Sequence, residues 1–403
     1  MKNINFRQLL YLFLLLFSIL ILAGCWNRRE IESIGFINSV GVDRNINNKI
    51  KLTVRIAKPF TLSGQQNTNV DERSFWLTEM TGDTVFEAVR NFLNHSPRRL
   101  FWAHNRFIIF GEEFARQGLN DAIDWFDRDN ESRRTAQIAI VKGATAAESL
   151  QVEYELERDP SQGEAGVVEA AINGQSNIVD VKLHDFLLML NSEGIEPVAT
   201  RTDLVPTPQG PLDIRGNLKR EKIGLTGKYI GAAAFKEDKL VGWLDGKQTR
   251  GLNWVKGKAK GGILVINNPK TGKRLVSIEL IRSQSKIIPK VINGRPSIEV
   301  KVQAEGNIGD IQGQFDINLK TWEDMEKMMA EGIKDEIKAC LRVAQKEFNS
   351  DIFGFGAAIY RNYPREWERL KNNWDEEFPN LSVKISVEAK LRRTGLILRT
   401  LQE

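Results

Sequence analysis

The sequence predicts an α+β protein, made of three mixed α/β domains with antiparallel-rich sheets behind an N-terminal signal peptide. Three observations carry this expectation. Leu381, Val383, Ile385, Val387, Ala389 and Leu391 alternate strictly with polar residues, the period of a strand with one buried face. Trp322, Met325, Met329, Ile333, Ile337, Leu341, Ala344 and Phe348 recur at steps of three and four, the stripe of a long amphipathic helix. Elsewhere, strand-like and helix-like runs are mixed without the regular βα repeat of a doubly wound fold.

Composition narrows the class further. The 403 residues are 41% hydrophobic and 27% charged, which excludes a disordered, collagenous or disulfide-scaffold chain. A single apolar stretch of near-membrane length excludes a multi-span transporter. There are 57 basic residues, two of them (Lys2 and Arg7) in the first 24, against 52 acidic ones. The body is therefore close to charge balance, which gives little electrostatic case for nucleic acid. At about 150 residues per domain the chain holds two or three.

The N-terminus is the most informative segment. Lys2 and Arg7 precede an apolar run from Leu9 to Leu22, followed by Ala23, Gly24 and Cys25. A basic start, a short apolar core and small residues at its end describe a secretory signal, here residues 1–24. Leu22-Ala23-Gly24-Cys25 resembles a bacterial lipobox, in which the Cys25 thiol takes a diacylglyceryl group and becomes the new N-terminus. Two acyl chains suffice for stable anchoring. With Cys25 acylated, Cys340 is left alone and no intramolecular disulfide can form.

Beyond the anchor, Ile34–Asp43 and Lys49–Lys58 are β-rich runs around a turn-prone Arg44–Asn48, so a hairpin is expected. After a polar loop (Thr61–Arg73), Thr81–Thr84 should cap a helix to Leu93 that buries Val85, Ala88, Val89 and Phe92. A strand at Arg106–Phe110, a helix at Leu119–Phe126 and a strand at Thr135–Val141 follow. Helices are then expected near Ala144–Val152, Glu164–Asn173 and Val181–Asn191. Pro197, Pro206, Pro208 and Pro211 fall within Glu196–Gly216, which reads as a linker or boundary. Gly231–Phe235 and Lys239–Leu244 read as a compact hairpin, Thr249–Val255 as a helical turn and Ile263–Asn267 as a strand. Ser277–Ile288 and Ser297–Ala304 alternate as strands. After the long helix, Asp351–Tyr360 reads as its continuation and Pro364–Trp374 as another helix. These readings divide the chain into 25–205, a small β-rich 206–262, and 263–403 with the long helix.

No catalytic constellation emerges. His95, His104 and His184 lack metal-ligand spacing, and no HExxH or paired-cysteine motif occurs. Asp127-Arg128-Asp129-Asn130-Glu131 hints at a calcium loop, yet Ser132 and Ile138 stand where glycine and glutamate are required. It reads as a charged helix end. Gly354-Phe355-Gly356 is a fragment of a dinucleotide pattern without its preceding strand. Cys340 lies on the apolar stripe of the long helix and reads as a buried small hydrophobe. No metal or cofactor is expected. Between Gly246 and Ile278, Lys247, Arg250, Lys256, Lys258, Lys260, Lys270, Lys273 and Arg274 stand without an acid. This suits an anionic surface, but a solvated hairpin edge blunted by lysines explains it as well.

Several stretches together resemble one known family. They are Cys25-Trp26-Asn27-Arg28-Arg29-Glu30-Ile31, Gly35, Gly41-Val42-Asp43, Arg98-Arg99-Leu100 with His104, and Phe126-Asp127-Arg128-Asp129. Farther on come Ala234-Phe235-Lys236, Leu240-Val241-Gly242-Trp243-Leu244, Asp351-Ile352-Phe353-Gly354, Pro364-Arg365-Glu366-Trp367 and Trp374. Asn27 stands where members more often carry Asp, and Asp310 where Glu is expected. In this order the set resembles the Ger(x)C family, the lipoprotein C subunit of germinant receptors in spore-forming bacteria. The resemblance implies a three-domain, non-catalytic protein, lipid-anchored on the outer face of the spore inner membrane. It implies partners, two integral membrane subunits A and B, and a role in receptor assembly or signalling. It also implies that the germinant binds on the transporter-like B subunit rather than on this chain. A solute-binding lipoprotein of a transporter is the alternative with the right anchor and size, and an exported cell-wall hydrolase a more distant one.

Overall fold

The computed structural model describes residues 6–22, 30–58, 74–154, 156–206, 225–268, 272, 275–312 and 317–394. Cys25 and its neighbours, and the Thr61–Arg73 loop, lie outside them. Phe6–Leu22 forms a 17-residue helix. No helix among the described residues is long and apolar enough to cross a membrane.

Among the described residues the first sheet has nine strands. β1 (Ile34–Arg44), β2 (Ile50–Ala57) and β3 (Phe75–Gly82) make an antiparallel meander that includes the expected hairpin. Its turn closes because Asn45 Oδ1 accepts the N–H groups of Asn47 and Lys49, while Asn48 takes a left-handed φ of 60°. β4 (Arg99–Phe101) and β5 (Phe107–Gly111) both pair with β1 in parallel. β6 (Gln137–Lys142) and β7 (Val198–Pro206) continue the parallel set. β8 (Leu225–Lys236) and β9 (Lys239–Leu244) return antiparallel at the far side. The lateral order is β3-β2-β1-β5-β6-β7-β8-β9, with β4 on the start of β1.

One consequence organises the molecule. Because β1, β4, β5, β6 and β7 run the same way, Ile34, Arg99, Phe107, Gln137 and Val198 all open on the same edge of the sheet. We call this the starting edge. The middle strands are covered on both faces, so Phe107–Phe110 and Ile138–Val141 are buried at every position.

Among the described residues the second sheet has four strands, β10 (Ile263–Asn267), β11 (Leu275–Ile292), β12 (Arg295–Ile311) and β13 (Ser382–Leu391), in that order. β10–β12 are antiparallel and β13 joins β12 in parallel. The expected long helix runs Leu319–Arg342 from an Asn318 cap, whose Oδ1 accepts the Thr321 N–H at 3.0 Å. Its Met325, Met329, Ile333 and Ile337 are buried in one continuous core that reaches both sheets. Gly306 on β12 leaves room for Met329 Cε, and Gly332 on the helix for Leu264.

Two expectations are corrected, and one is given its place in the sheet. Glu196–Gly216 is not linker throughout, since Val198–Pro206 is β7, paired on both sides. Pro197 stands just before the strand and Pro206 at its last position, where a missing N–H costs no central ladder bond, and Pro208 and Pro211 lie outside the described residues. The expected hairpin at Gly231–Phe235 and Lys239–Leu244 is present, as the last strand pair of the first sheet. Asp351–Tyr360 does not continue the long helix. One π-helical turn (Val343–Phe348) ends at Asn349 with φ 47°, and a new helix starts only at Phe355, after Gly354 with φ 78°. The Asp351 side chain occupies the N–H groups that open the new helix.

Candidate interaction site at the Asp351 junction

A dense set of polar contacts surrounds Asp351. Asp351 is 2% exposed, and its carboxylate accepts four N–H groups. Oδ1 takes those of Gly354 (2.9 Å) and Phe355 (3.1 Å), and Oδ2 takes Gly356 (2.8 Å) and the Trp374 indole (3.2 Å). Burial pushes its pKa up to about 6, even though all four donors favour the charged form. With both oxygens fully engaged, Asp351 has no lone pair aimed at solvent. It holds a fold in place.

What it holds is the join between the two sheets at the starting edge. The Glu196 N–H donates to Asp351 O at 3.0 Å, just before β7. Ser350 Oγ donates to Phe235 O at 2.5 Å, near the end of β8. Lys236 Nζ donates to Asn349 O at 3.0 Å and forms an ion pair with Asp375. The Trp367 indole donates to Glu193 Oε2 at 2.7 Å. Gly194, with φ 72°, sits so close to the Gly356–Ala357 peptide that a Cβ would collide with the Gly356 carbonyl carbon, and Ala357 N donates to Gly194 O at 2.8 Å. Trp367 and Trp374 pack edge to face at 5.3 Å. A cleft of about 380 Å³ opens beside them, lined by Glu193, Glu196, Lys236, Lys371 and Asp375 among others. Burial raises the Glu196 carboxyl as well, against the pull of the Glu237 N–H and Lys236.

The motif residues singled out in the sequence therefore meet. Ala234-Phe235-Lys236, Asp351-Ile352-Phe353-Gly354, Trp367 and Trp374 are all at this junction. Gly242 joins them from β9, because a Cβ there would overlap the Phe348 ring. Other motifs do local work. Asp43 caps the short Ala146–Ser149 helix through the N–H groups of Ala146 (2.9 Å) and Ala147 (3.0 Å), and Gly41 and Gly111 give that contact space. Arg99 pairs with Glu131 and Arg134 with Asp127 at the starting edge. Asp129 Oδ1 accepts the N–H groups of Glu131 and Ser132, closing the charged helix end. Asp310 is exposed on β12.

The remaining candidates separate. His104 packs against Phe36 and Phe101, His95 Nδ1 lies 3.4 Å from Asn91 O, and His184 stands elsewhere on the surface. Among the described residues no three His, Cys, Asp or Glu side chains are grouped to hold a metal. Cys340 is fully buried, and burial pushes its thiol far above the usual range. The basic run after Gly246 breaks up. Arg250 is clamped on Glu336, Lys256 is half-buried with its pKa lowered to about 8 by burial, and Lys247, Lys258 and Lys260 are exposed. Lys270, Lys273 and Arg274 lie outside the described residues. Sequence reasoning missed Glu193, Gly194, Glu196 and Asn349, of which Gly194 alone carried a local signal.

The fold and the junction define a class: an α+β protein of two sheets sharing one core, locked where a buried aspartate ties the second half to the first. Residues 27–204 match the family model for the spore germination protein N-terminal domain, and residues 230–395 that for the spore germination B3/GerAC-like C-terminal region. The chain belongs to this family of spore germination proteins. It is 28% identical over 396 residues to spore germination protein KC of Bacillus subtilis (strain 168), covering 97% of each chain. It is 24% identical over 387 residues to spore germination protein B3 of the same organism, covering 94% of this chain and 96% of that one. The crystal structure of the GerBC protein superposes with a TM-score of 0.54 at 19% identity, over 90% of this chain and 99% of that one, so the fold is shared.

Proposed function

We propose that this chain is the lipid-anchored C subunit of a nutrient germinant receptor, working without catalysis in receptor assembly or signalling on the outer face of the spore inner membrane. The observation that carries the reading is the order of the sequence itself: a signal-like stretch at residues 1–24 and a lipobox-like Cys25, followed by the two spore germination regions at 27–204 and 230–395. The Asp351 junction supports it, since its best-built polar groups are spent on internal cohesion.

In this reading the anchor turns a three-dimensional search for integral A and B subunits into a local one and raises the effective concentration of each partner. The body then docks on their extracytoplasmic surfaces. It shifts their closed-to-open balance to the extent that its contacts differ between the two states. The test is a Cys25→Ala chain in spores, followed by membrane fractionation and nutrient germination. Loss of both membrane association and germination is the expected result. Retained membrane association removes the lipid-anchor mechanism, and intact germination alongside a transport defect moves the assignment to a solute-binding lipoprotein.

A further inference from the structure

The starting edge of the first sheet has a property that the junction does not use. The chain enters the body there, through a 3-10 turn at Ile31–Ser33 leading into Ile34. At no more than about 3.5 Å per residue, the step from Cys25 to Glu30 keeps Glu30 within roughly 18 Å of the acylated sulfur. The opposite end of β1, with the exposed Ile46 in its hairpin turn, lies about 35 Å farther along the strand.

The side chains at this edge are those of a water–lipid boundary. Trp76, 41% exposed, sits two strands from the chain entry, opposite Ile56, which in turn pairs with Ile37. Trp76 leans on Phe92 at 5.9 Å, and Leu93 beside it is 47% exposed. Arg98 and Arg99 open β4 against Ile34, Arg106 opens β5 by donating its N–H to Asn38 O, and Arg133 precedes β6. Arg98, Arg106 and Arg133 are exposed and make no ion pair among the described residues, while Arg99 is held by Glu131. Exposed Glu30 and Glu32 share the edge, so it is mixed in charge rather than a basic patch. Exposed tryptophan and leucine among arginines are suited to headgroup depth, where an aromatic body finds apolar chains and a guanidinium finds phosphate.

We propose that the starting edge is the membrane-facing surface of this protein, with Trp76, Leu93, Arg98, Arg106 and Arg133 resting in the lipid headgroup layer. The proposal rests on acylation at Cys25 and adds to it an orientation: the parallel strands point away from the bilayer, and the Ile46 turn faces outward. The occupant is lipid, because the short tether leaves this edge next to the bilayer whatever else is bound.

The experiment uses the full-length acylated protein on vesicles of phosphatidylglycerol and phosphatidylethanolamine. With Cys25 acylated and Cys340 buried, a single introduced cysteine is the reactive thiol, so Arg98→Cys, Arg133→Cys and Ile46→Cys are each labelled with an environment-sensitive fluorophore. Flotation is measured first, then quenching by brominated lipid. Flotation with blue-shifted, quenched labels at 98 and 133 and an unshifted label at 46 is expected. Flotation with equal quenching at all three, or stronger quenching at 46, overturns the orientation and leaves the anchor standing. Failure to float overturns the anchor reading and the orientation with it. Labels that shift only when the integral subunits are added make the edge a protein interface and overturn the lipid assignment.

Discussion

Trp254 donates its indole N–H to Glu336 Oε2 at 2.9 Å, tying the Gly246–Val255 helix to the middle of the long Leu319–Arg342 helix. The same oxygen accepts Arg250 Nε at 2.8 Å, and Oε1 takes a second guanidinium nitrogen. Arg250 also donates to Ile263 O at 3.0 Å, the first residue of β10. Gly251 makes the crossing possible, because a Cβ there would run into the Glu336 carbonyl. One carboxylate thus fixes two helices and the edge of the second sheet.

Removing that carboxylate strands a nearly buried guanidinium and an indole N–H. Glu336→Ala should lower unfolding stability by about 3 kcal/mol, the low end for breaking a buried pair from one side. Glu336→Gln, which keeps an acceptor for Trp254, should lose less. Urea denaturation of both variants beside the parent measures the difference, and equal losses would show that the charge contributes nothing.

Asp351 makes stability depend on pH in a defined direction. Its pKa is raised from 3.8 to about 6 on folding, so the folded state holds the proton more tightly than the unfolded chain. Its contribution is fully present below about pH 4 and falls as pH rises through 6, by roughly 3 kcal/mol in total. Asp351→Asn cannot titrate. The difference in stability between parent and variant should therefore change between pH 4 and 7 and be flat on either side. A difference that stays constant across that range contradicts the assignment.

Gly194→Ala should open the junction without touching a charged group. The left-handed φ of 72° and the contact with Gly356 both oppose a Cβ, at a cost of about 1–3 kcal/mol. The local signature is faster hydrogen exchange at the Ala357 amide, which donates to Gly194 O. An unchanged Ala357 amide would mean the loop relaxes elsewhere.

Cys340 should be inert in the folded protein. Its burial raises the thiol and excludes reagent, so iodoacetamide at pH 8 should modify it only after denaturant is added. Modification under native conditions would show that the long helix lifts off the core.

How much of this was legible depended on whether the signal was local. The long helix and β13 were plain because one buried face writes its own period into the chain. The hairpin at β1–β2 was plain because Asn45 and Asn48 sit where the turn needs them. In the parallel middle of the first sheet, the strands at Arg106–Phe110 and Thr135–Val141 were legible as short apolar runs, but their parallel pairing and β7 were not. Phe107–Phe110 and Ile138–Val141 are buried on both faces, which erases the alternation that would show a sheet's direction and neighbours, and β7 was hidden by Pro197 just before it and Pro206 at its last position. The junction was half legible. Asp351, Trp367 and Trp374 were marked by resemblance to a family, while Glu193, Glu196 and Asn349 are ordinary surface-type residues whose partners lie far along the sequence. Tertiary pairing chose them, and no window of sequence contains it.

The bond from Ser350 to Phe235 spans 115 residues, and that from Trp367 to Glu193 spans 174. These separations set an order of assembly. Contacts that close long loops form late, because their entropy must be met before they return any enthalpy. A chain released only as far as the long helix has a finished first meander but an unsealed starting edge, with the Phe235 carbonyl and the Glu196 amide still facing water. Arrival of Asp351 seals it, and from then on the two sheets should melt in a single transition, since neither can loosen without breaking the same few bonds. The earlier half of this protein is completed by the later one.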